Sequence, residues 1–322
     1  MSMSREEARW FANAFGHIVQ TVGQAVLGKE YVVRLTVAAM LAEGHVLLED
    51  APGTGKTSLA RAVAASVTGV NKRIQFTPDL LPTDVTGITI YDQRKGDFDF
   101  KEGPVFTNVL LADEINRASP KTQSALLEVM EEGQVTVDGK TRPVGRPFMV
   151  LATQNPIEQA GTYRLPEAQL DRFLLKTSIG YPDRASTVAI LRGAAVKNRA
   201  AALAPCITTE AVNQMSDLAA TVHVTDSILE YVSDLAEQTR GNTDTRLGVS
   251  VRGVLAMTRV AKVWAASYGR EYVTADDIKA LAEPVWCHRL IIDPEAEFAG
   301  VTATQVIQRA LSAVPVPTVG TA

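Results

Sequence analysis

The pattern of apolar and polar positions divides the chain near residue 181. Before this point, short apolar runs alternate with helical patterns, and these runs are "HVLLE" at 45–49, "KRIQF" at 72–76, "NVLLADE" at 108–114, "FMVLATQN" at 148–155 and "RFLLKTSI" at 172–179. Runs of this length between turn signals are typical of buried strands. After Tyr181–Pro182 only helical patterns remain, at 184–197, 209–222, 226–240, 251–268 and 275–290.

This order of elements predicts an α/β fold with a parallel sheet, followed by an all-α domain. We place the α/β core at residues 1–181 and the helical domain at 182–312. The end of the chain, 313–322, is predicted to be a disordered tail because "VPVPTVGTA" has little to bury. "GITIYD" and "GDFDFKEG" alternate around Lys95–Gly96, and "QVTVDGKTRPV" alternates around Asp138–Gly139, so both stretches predict β-hairpins.

Capping signals locate two helix starts. Ser4 with Glu7 forms a plausible capping box, which predicts a helix from there to about Val26. Ser119 followed by Pro120 makes a good N-cap and first helical residue, which predicts a helix up to Glu132. Leu126, Leu127 and Met130 on this helix are expected to be core residues.

Composition narrows the class of protein. Of 322 residues, 46% are apolar, and 32 basic residues stand against 36 acidic ones, for a net charge of −4. This balance argues against a general nucleic-acid binder. Two cysteines, Cys206 and Cys287, show neither zinc spacing nor a disulfide framework. We find no signal peptide and no apolar run of the ~18 residues that a membrane helix needs, so we expect a cytoplasmic protein.

The stretch "EDAPGTGKTSLARAVAASVTG" at 49–69 resembles a phosphate-binding loop between a strand and a helix, and this helix is predicted to run from Lys56 to about Thr68. In such a loop, backbone amides and the helix N-terminus bind a phosphate, a lysine reaches the outer phosphates and a threonine hydroxyl binds Mg²⁺. The candidate residues are Asp50, Ala51, Pro52, Gly53, Thr54, Gly55, Lys56, Thr57 and Ser58. Asp50 replaces the first glycine of the usual pattern, and we expect its side chain to point away from the phosphates. The alternative is a chance glycine-rich turn.

The apolar strand "VLLAD" is followed by a second acid, so Asp113 and Glu114 lie at its carboxyl end. Ligands of open α/β sheets bind at that edge. Asp113 is therefore a candidate Mg²⁺ ligand, and Glu114 a candidate general base that activates the attacking water. The alternative is an ordinary acidic strand end.

Three segments together resemble the MoxR family of AAA+ ATPases: "EDAPGTGKT" at 49–57, "GPVFTNVLLADEINRASPKTQSALLEVMEEGQVTVDG" at 103–139, and "LATQNPIEQAGTYRLPEAQLDRFLL" at 151–175. The resemblance covers roughly residues 20–290, and the middle segment is its most specific part. It implies a P-loop AAA+ core with β-hairpin insertions and a C-terminal all-α lid domain. It also implies binding and hydrolysis of ATP with Mg²⁺, and accounts for Asp50, since the family often lacks a glycine there.

The resemblance implies roles for further residues. Asn155 matches the sensor 1 residue, Arg172 in "LDRF" the arginine finger, and Arg252 in "GVSVRGVLAM" the sensor 2 arginine, which contacts the phosphates. Segment 25–30 resembles the part that wraps the adenine, with Val26, Leu27 and Gly28 nearest the base. The hairpins at 87–103 and 134–144 resemble the helix 2 and pre-sensor 1 insertions.

Each of these roles has an alternative. Asn155 precedes Pro156 and would then only begin a turn. Arg164 and Arg117 are rival candidates for the finger. Arg252 would instead pair with a carboxylate such as Asp244.

The resemblance also implies how the protein works. An arginine finger acts on a neighbouring subunit, so we expect a homo-oligomeric ring, most simply a hexamer. The family implies chaperone-like remodelling of client proteins, with metal-cofactor insertion in some cases and a von Willebrand factor A domain partner. The first alternative is a helicase or chelatase motor, suggested by Lys140, Arg142 and Arg146 near one hairpin tip. The second is a nucleotide-gated scaffold without turnover. Nucleic acid is not an expected partner.

Overall fold

The computed structural model describes residues 2–156, 162–192 and 199–317. These residues form two compact units. The core unit consists of residues 17–156, 162–173, 177–192 and 199–213. The helical unit consists of residues 2–16, 174–176 and 214–317.

This division differs from the single boundary predicted near residue 181. Residues 2–16 belong to the helical unit, where the Met3 amide donates to the Thr221 carbonyl at 3.4 Å and Arg5 pairs with Glu271 at 3.3 Å. Residues 199–213 stay with the core unit, where the Cys206 amide donates to the Ser66 carbonyl at 2.8 Å. Of the tail predicted at 313–322, residues 318–322 lie outside the described residues, whereas Ala313 ends the last described helix and Val314 is buried.

The elements follow one another in a βα order in the first half of the chain. They are α1 (Arg5–Gly23), α2 (Glu30–Leu41), β1 (Val46–Glu49), α3 (Lys56–Ser66), β2 (Val67–Thr68), β3 (Asn71–Gln75), α4 (Pro82–Thr86), β4 (Gly87–Asp92), β5 (Asp97–Glu102), β6 (Val109–Asp113), α5 (Pro120–Glu132), β7 (Gln134–Val137), β8 (Lys140–Pro143), β9 (Met149–Gln154), α6 (Glu167–Leu170) and β10 (Leu175–Thr177).

Helices dominate the second half. The elements are α7 (Arg184–Arg192), β11 (Ile207–Thr208), α8 (Thr209–Ala220), α9 (Asp226–Arg240), β12 (Thr245–Leu247), α10 (Val251–Ser267), α11 (Ala275–Trp286), β13 (Ile291–Ile292), α12 (Pro294–Phe298) and α13 (Ala303–Ala313). The sequence analysis did not predict α12 and α13. In the described parts of the chain, no helix is long and apolar enough to cross a membrane.

The central sheet of the described residues has five strands in the order β10-β1-β9-β6-β3. β1 pairs with β9, β9 with β6, and β6 with β3, all in parallel, so the predicted α/β fold is confirmed. Several predicted elements were longer than those observed. The strand predicted at 172–179 is only β10, and the helix predicted to reach Thr68 ends at Ser66. Val67 and Thr68 are β-branched and pair in parallel with β11 instead.

Both predicted hairpins are present. β4 pairs with β5 from Gly87 opposite Glu102 to Asp92 opposite Asp97, and β7 pairs with β8 from Gln134 opposite Pro143. Asp138 and Gly139 have φ of 51° and 71°, the left-handed pair that a two-residue hairpin turn requires.

The sheet is fixed by apolar burial around it. Leu47, Leu110 and Val150 of the three central strands are fully buried. Leu126 and Leu127 of α5 pack in the same cluster, so their assignment to the core is confirmed. Each such side chain contributes about 1.5–3 kcal/mol by leaving water. Burial therefore holds the strand ends, and the residues after them, in fixed positions.

Candidate functional site

The strands β1, β3, β6 and β9 are parallel and in register, so their carboxyl ends meet at one edge of the sheet. Glu49 lies opposite Gln154, and Gln75 lies opposite Asp113. This arrangement brings together the loop after β1, the acids at the end of β6 and the residues that follow β9. It is the edge at which open α/β sheets bind their ligands.

The loop between β1 and α3 has a shape that suits an anion. Gly53 and Gly55 have φ of 81° and 100°, a backbone conformation that L side chains rarely adopt. The Thr54 hydroxyl donates to the Ala51 carbonyl at 3.1 Å and so fixes the turn. Among the described residues, no side chain caps the first turn of α3 at Gly55. The amides of this turn therefore remain available to an anion, which the helix dipole also favours.

Lys56 is held at the sheet edge by backbone carbonyls. Its ammonium donates to the carbonyl of Asp50, to that of Ala51 at 3.2 Å and to that of Gln154 at 3.4 Å. Burial lowers the pKa of Lys56 from 10.5, and nearby carboxylates, of which Asp50 and Glu114 act most strongly, oppose this shift. The amine is thus a partly buried positive group beside the loop.

The carboxylate of Asp50 binds three backbone amides, two of which lie outside the loop. One oxygen accepts from the amides of Ile179 and Gly180, at 2.7 and 2.6 Å, and the other accepts from the Ala51 amide at 3.0 Å. This is the outward orientation that the sequence analysis expected for an acid at this position. Three amide donors fix the orientation of the carboxylate.

Asp113 lies at the end of β6 with its side chain only 5% exposed. Its Oδ1 accepts from the Thr153 hydroxyl at 3.2 Å, and its Oδ2 accepts from Arg73 Nε at 2.7 Å. The Thr153 hydroxyl in turn accepts from the Glu114 amide at 2.9 Å. Asp113 is therefore oriented by side chains of both neighbouring strands.

Glu114 follows directly, in the left-handed region with φ 55° and ψ 50°. This conformation turns its side chain away from the strand direction, and the side chain is 41% exposed. Its Oε2 accepts from Gln75 Nε2 at 3.1 Å and from Arg117 Nη1 at 2.9 Å. Both predicted acids are thus present at the sheet edge and both accept from an arginine.

The other residues near the loop lie as follows. Thr57 is half-buried and Ser58 and Pro52 are exposed. Asn155 is half-buried just after β9, and its carbonyl accepts from the Asn116 side chain at 3.2 Å.

The predicted adenine segment lies against the start of α7. Val26 is buried and Leu27 half-buried. Gly28 has φ of 72°, and a Cβ there would come within 2.1 Å of the Ser186 hydroxyl. A side chain at this position would be strained by the positive φ and would require Ser186 to move.

The predicted arginines have different surroundings. Arg172 pairs with Glu131 of α5 at 3.1 Å. Arg117, one of its rivals, pairs with Glu114, and Arg164, the other, is exposed. Arg252 belongs to the helical unit, where it is exposed in the first turn of α10. Asp244, the suggested alternative partner of Arg252, pairs with Arg309 at 2.6 Å.

The sequence analysis missed Arg73, Gln75 and Thr153, which contact the two acids. Alternation along "KRIQF" was the available signal, because polar side chains at 73 and 75 share one face of the strand. Reading that signal required the order of strands, which places β3 beside β6.

Comparisons with known proteins agree with this geometry. The model of the family described as "ATPase family associated with various cellular activities (AAA)" matches residues 45–175, and that of the AAA lid domain matches residues 237–310. The uncharacterized protein YeaC of Bacillus subtilis (strain 168) is 47% identical over 302 residues, 94% of each chain. Chaperone MoxR1 of Mycobacterium tuberculosis is 40% identical over 307 residues, which cover 92% of this chain and 81% of MoxR1.

The chain belongs to the MoxR family of AAA+ ATPases. The crystal structure of a presumed ATPase from Cytophaga hutchinsonii, 38% identical, matches this MoxR-family fold with a TM-score of 0.90 and covers 97% of this chain and 98% of that one. The predicted AAA+ core with a lid domain is thereby confirmed. As a MoxR-family member, the chain binds and hydrolyses ATP and has a chaperone-like role.

The residues at the sheet edge fit a nucleotide with its metal. The loop offers left-handed glycines, amides of the first turn of α3 and the Lys56 ammonium, which are the groups that bind phosphate oxygens. Asp113 and Thr57 offer oxygen donors, the ligand type that Mg²⁺ prefers.

Proposed function

We propose that this chain is a Mg²⁺-dependent ATPase that works as a ring and remodels client proteins. The convergence of Lys56, Asp113 and Glu114 at one sheet edge supports the proposal most directly. The loop after β1 binds the phosphates, and Val26, Leu27 and Gly28 contact the adenine. Thr57 and Asp113 would hold Mg²⁺, which would place positive charge beside the phosphate oxygens.

Hydrolysis transfers the γ-phosphoryl group to water. Glu114 accepts a proton from the attacking water, and Asn155 orients that water. Charge grows on the γ-oxygens in the transition state and is stabilised by Lys56, by Arg252 and by Arg172 of a neighbouring subunit. Because an arginine finger supplies about 10³–10⁵ in rate, an isolated chain would hydrolyse ATP slowly.

The variant Glu114→Gln tests the catalytic part. It keeps the size and hydrogen-bonding reach of the side chain but removes the base, so kcat should fall about 10²–10⁴-fold. Affinity for a non-hydrolysable ATP analogue should stay within about twofold, since the loop is unchanged. Glu128→Gln is the matched control, because Glu128 is an exposed glutamate of α5. Equal phosphate release by Glu114→Gln and wild type would contradict this role and favour a scaffold without turnover.

The client role is tested with the same variant. Glu114→Gln should hold a client while ATP is bound, so a client should be retained in ATP and released in ADP. The family implies two kinds of partner. One is a protein with a von Willebrand factor A domain, and the other is a client whose metal content depends on this ATPase. Equal retention in both nucleotides would contradict ATP-driven remodelling.

The surroundings of the hairpin arginines disfavour the helicase alternative. Arg142 stacks on Phe100, and Arg146 pairs with Glu43. These cations already serve contacts within the chain, and the net charge is −4. DNA binding whose affinity falls with salt concentration, with a slope that corresponds to several phosphate contacts, would support that alternative.

A further inference from the structure

A short segment of the core unit, residues 179–181, is bound by the carboxylate of the phosphate-binding loop. Asp50 Oδ2 accepts from the amides of Ile179 and Gly180, at 2.7 and 2.6 Å. Gly180 has φ of 65°, and a residue in this left-handed conformation lets successive amides converge on one anion. Residues 179–181, which we call the bridge segment, thus form an anion site that the Asp50 carboxylate fills.

The bridge segment is also bound from the side of the predicted adenine segment. The Lys29 ammonium, directly after Gly28, donates to the Tyr181 carbonyl at 2.7 Å. A Cβ built on Gly180 would lie 3.7 Å from the same ammonium. Opposite charges therefore bind opposite groups of one short stretch of backbone, since a carboxylate binds its amides and an ammonium binds its carbonyl.

Residue 50 is itself anchored where phosphate is expected to bind. The Asp50 amide donates to the Gln154 carbonyl at 3.4 Å, and the Asp50 carbonyl accepts from the Lys56 ammonium. A glycine at this position, as in the usual loop pattern, would keep these backbone contacts but would have no side chain to bind the bridge segment. The carboxylate of Asp50 therefore links the bridge segment to the groups that surround the phosphate site.

We propose that Asp50 is a positioning residue which, together with Lys29, sets the position of the adenine segment relative to the phosphate-binding loop. The inference rests on the proposed roles of the loop in binding phosphates and of residues 26–28 in contacting the adenine. A nucleotide binds both parts at once, so its apparent affinity depends on the fraction of molecules in which the two parts are correctly spaced. Loss of either contact lowers this fraction, whereas a phosphate ligand without a base does not depend on it.

The test compares two ligands in the presence of Mg²⁺. One is a fluorescent non-hydrolysable ATP analogue, and the other is inorganic tripolyphosphate, which competes for the loop but has no base. Asp50→Ala removes the acceptor of both amides, so the Kd of the analogue divided by the Kd of tripolyphosphate should rise about 5–20-fold. This ratio largely cancels the effect of the lost charge on phosphate binding, because that effect acts on both ligands. A purely structural role of Asp50 would weaken both ligands alike and leave the ratio unchanged.

Lys29→Met is the second variant, because it breaks the contact on the other side of the bridge segment and leaves the phosphate-binding loop unchanged. It should also raise the ratio of the two Kd values. Asp50→Ala combined with Lys29→Met should raise the ratio by less than the product of the two single effects, since both act through the same segment. Lys29→Met alone decides the matter if Asp50→Ala fails to fold, because an unchanged ratio in Lys29→Met would overturn the proposal.

Asp84→Ala is the matched control. Asp84 Oδ2 accepts from the Leu81 amide at 2.8 Å, and both residues belong to the core unit. This variant removes the same charge and a similar carboxylate–amide contact at a place that the bridge segment does not include. The ratio of the two Kd values should therefore stay at the wild-type value.

Amide hydrogen exchange measures the bridge segment directly and without a ligand. The amides of Ile179 and Gly180 should exchange at least about tenfold faster in Asp50→Ala than in wild type, and at the wild-type rate in Asp84→Ala. Unchanged exchange at these two amides, or an unchanged ratio of Kd values, in folded Asp50→Ala would overturn the proposal. Failure of the proposed function looks different, because wild type would then bind the ATP analogue no more tightly than tripolyphosphate.

Discussion

The thiol of Cys287 lies at the C-terminal end of α11, where its sulfur is 3.6 Å from the Thr304 hydroxyl. Burial, the largest cause, raises its pKa from 9.0 to about 11, and Glu283 adds to the shift. Only the thiolate reacts with alkylating agents. At pH 8 the thiolate fraction of Cys287 should therefore be roughly 100-fold below that of a free thiol of pKa 9.

This prediction is tested in the variant Cys206→Ser, which leaves Cys287 as the single thiol. Iodoacetamide labelling should be slow at pH 8, and its rate should still be rising tenfold per pH unit at pH 10. The same protein in denaturant gives the control rate. Fast labelling of the folded protein at pH 8 would mean that the thiol is not buried among these helices.

At the scale of single residues, the sequence predicted which residues form the site better than it predicted what those residues contact. Lys56, Asp113 and Glu114 follow from local motifs, because a phosphate loop and an acidic strand end are read from adjacent letters. The amides that bind Asp50 come from Ile179 and Gly180, which are 129 and 130 positions away. No local pattern specifies such a contact, and the same is true of Arg73 and its partner.

At the scale of elements, the hairpins β4–β5 and β7–β8 are joined by one stacking contact. The guanidinium of Arg142 lies 3.9 Å from the centre of the Phe100 ring, and its Nη1 donates to the Lys140 carbonyl at 3.2 Å. Phe100 also meets Phe106 edge-on at 5.7 Å. Both side chains are half-buried, and a cation–π contact contributes about 0.5–1 kcal/mol at exposed sites and about 2 kcal/mol when it is desolvated.

A double-mutant cycle measures this coupling. The variants Arg142→Gln and Phe100→Leu, alone and combined, should show a coupling of about 0.5–2 kcal/mol in the local opening free energy of the β7–β8 amides, followed by hydrogen exchange. The matched control replaces Phe100→Leu by Tyr91→Leu, since Tyr91 meets Phe98 edge-on instead. Additive effects in both cycles would show that the hairpins open independently.

Element boundaries were predicted well where a local signal exists. The Ser119 hydroxyl accepts from the Thr122 amide at 3.3 Å, which confirms the predicted start of α5. The predicted end of α3 at Thr68 was wrong because Val67 and Thr68 pair with β11, and this pairing overrides the helical pattern. That pairing joins segments about 140 positions apart, so no local pattern specifies it.

At the scale of the whole molecule, sequence patterns predicted the order of helices and strands but not how the chain divides into two compact units. A change from strands to helices near 181 suggested one boundary, yet residues 2–16 and 174–176 belong to the helical unit. The family resemblance, by contrast, depends on several separated motifs and was confirmed. Assembly into a ring remains a prediction, and variants of Arg172 give its most specific test.

Arg172 pairs with Glu131 within its own chain at 3.1 Å, so its loss alone would not separate a structural role from a role in a neighbour. Mixing separates them. Arg172→Ala and Glu114→Gln should each be nearly inactive alone. When the two variants assemble at random into one ring, roughly a quarter of the interfaces join an intact Glu114 to an intact Arg172 of the neighbour. ATP hydrolysis should therefore return in the mixture. Phosphate release is measured on assemblies captured through a tag on one variant and shown to contain the other.

Arg172→Ala mixed with the double variant should stay inactive, and Glu131→Gln should keep its activity. Captured mixed assemblies without activity would mean that Arg172 acts only within its own chain.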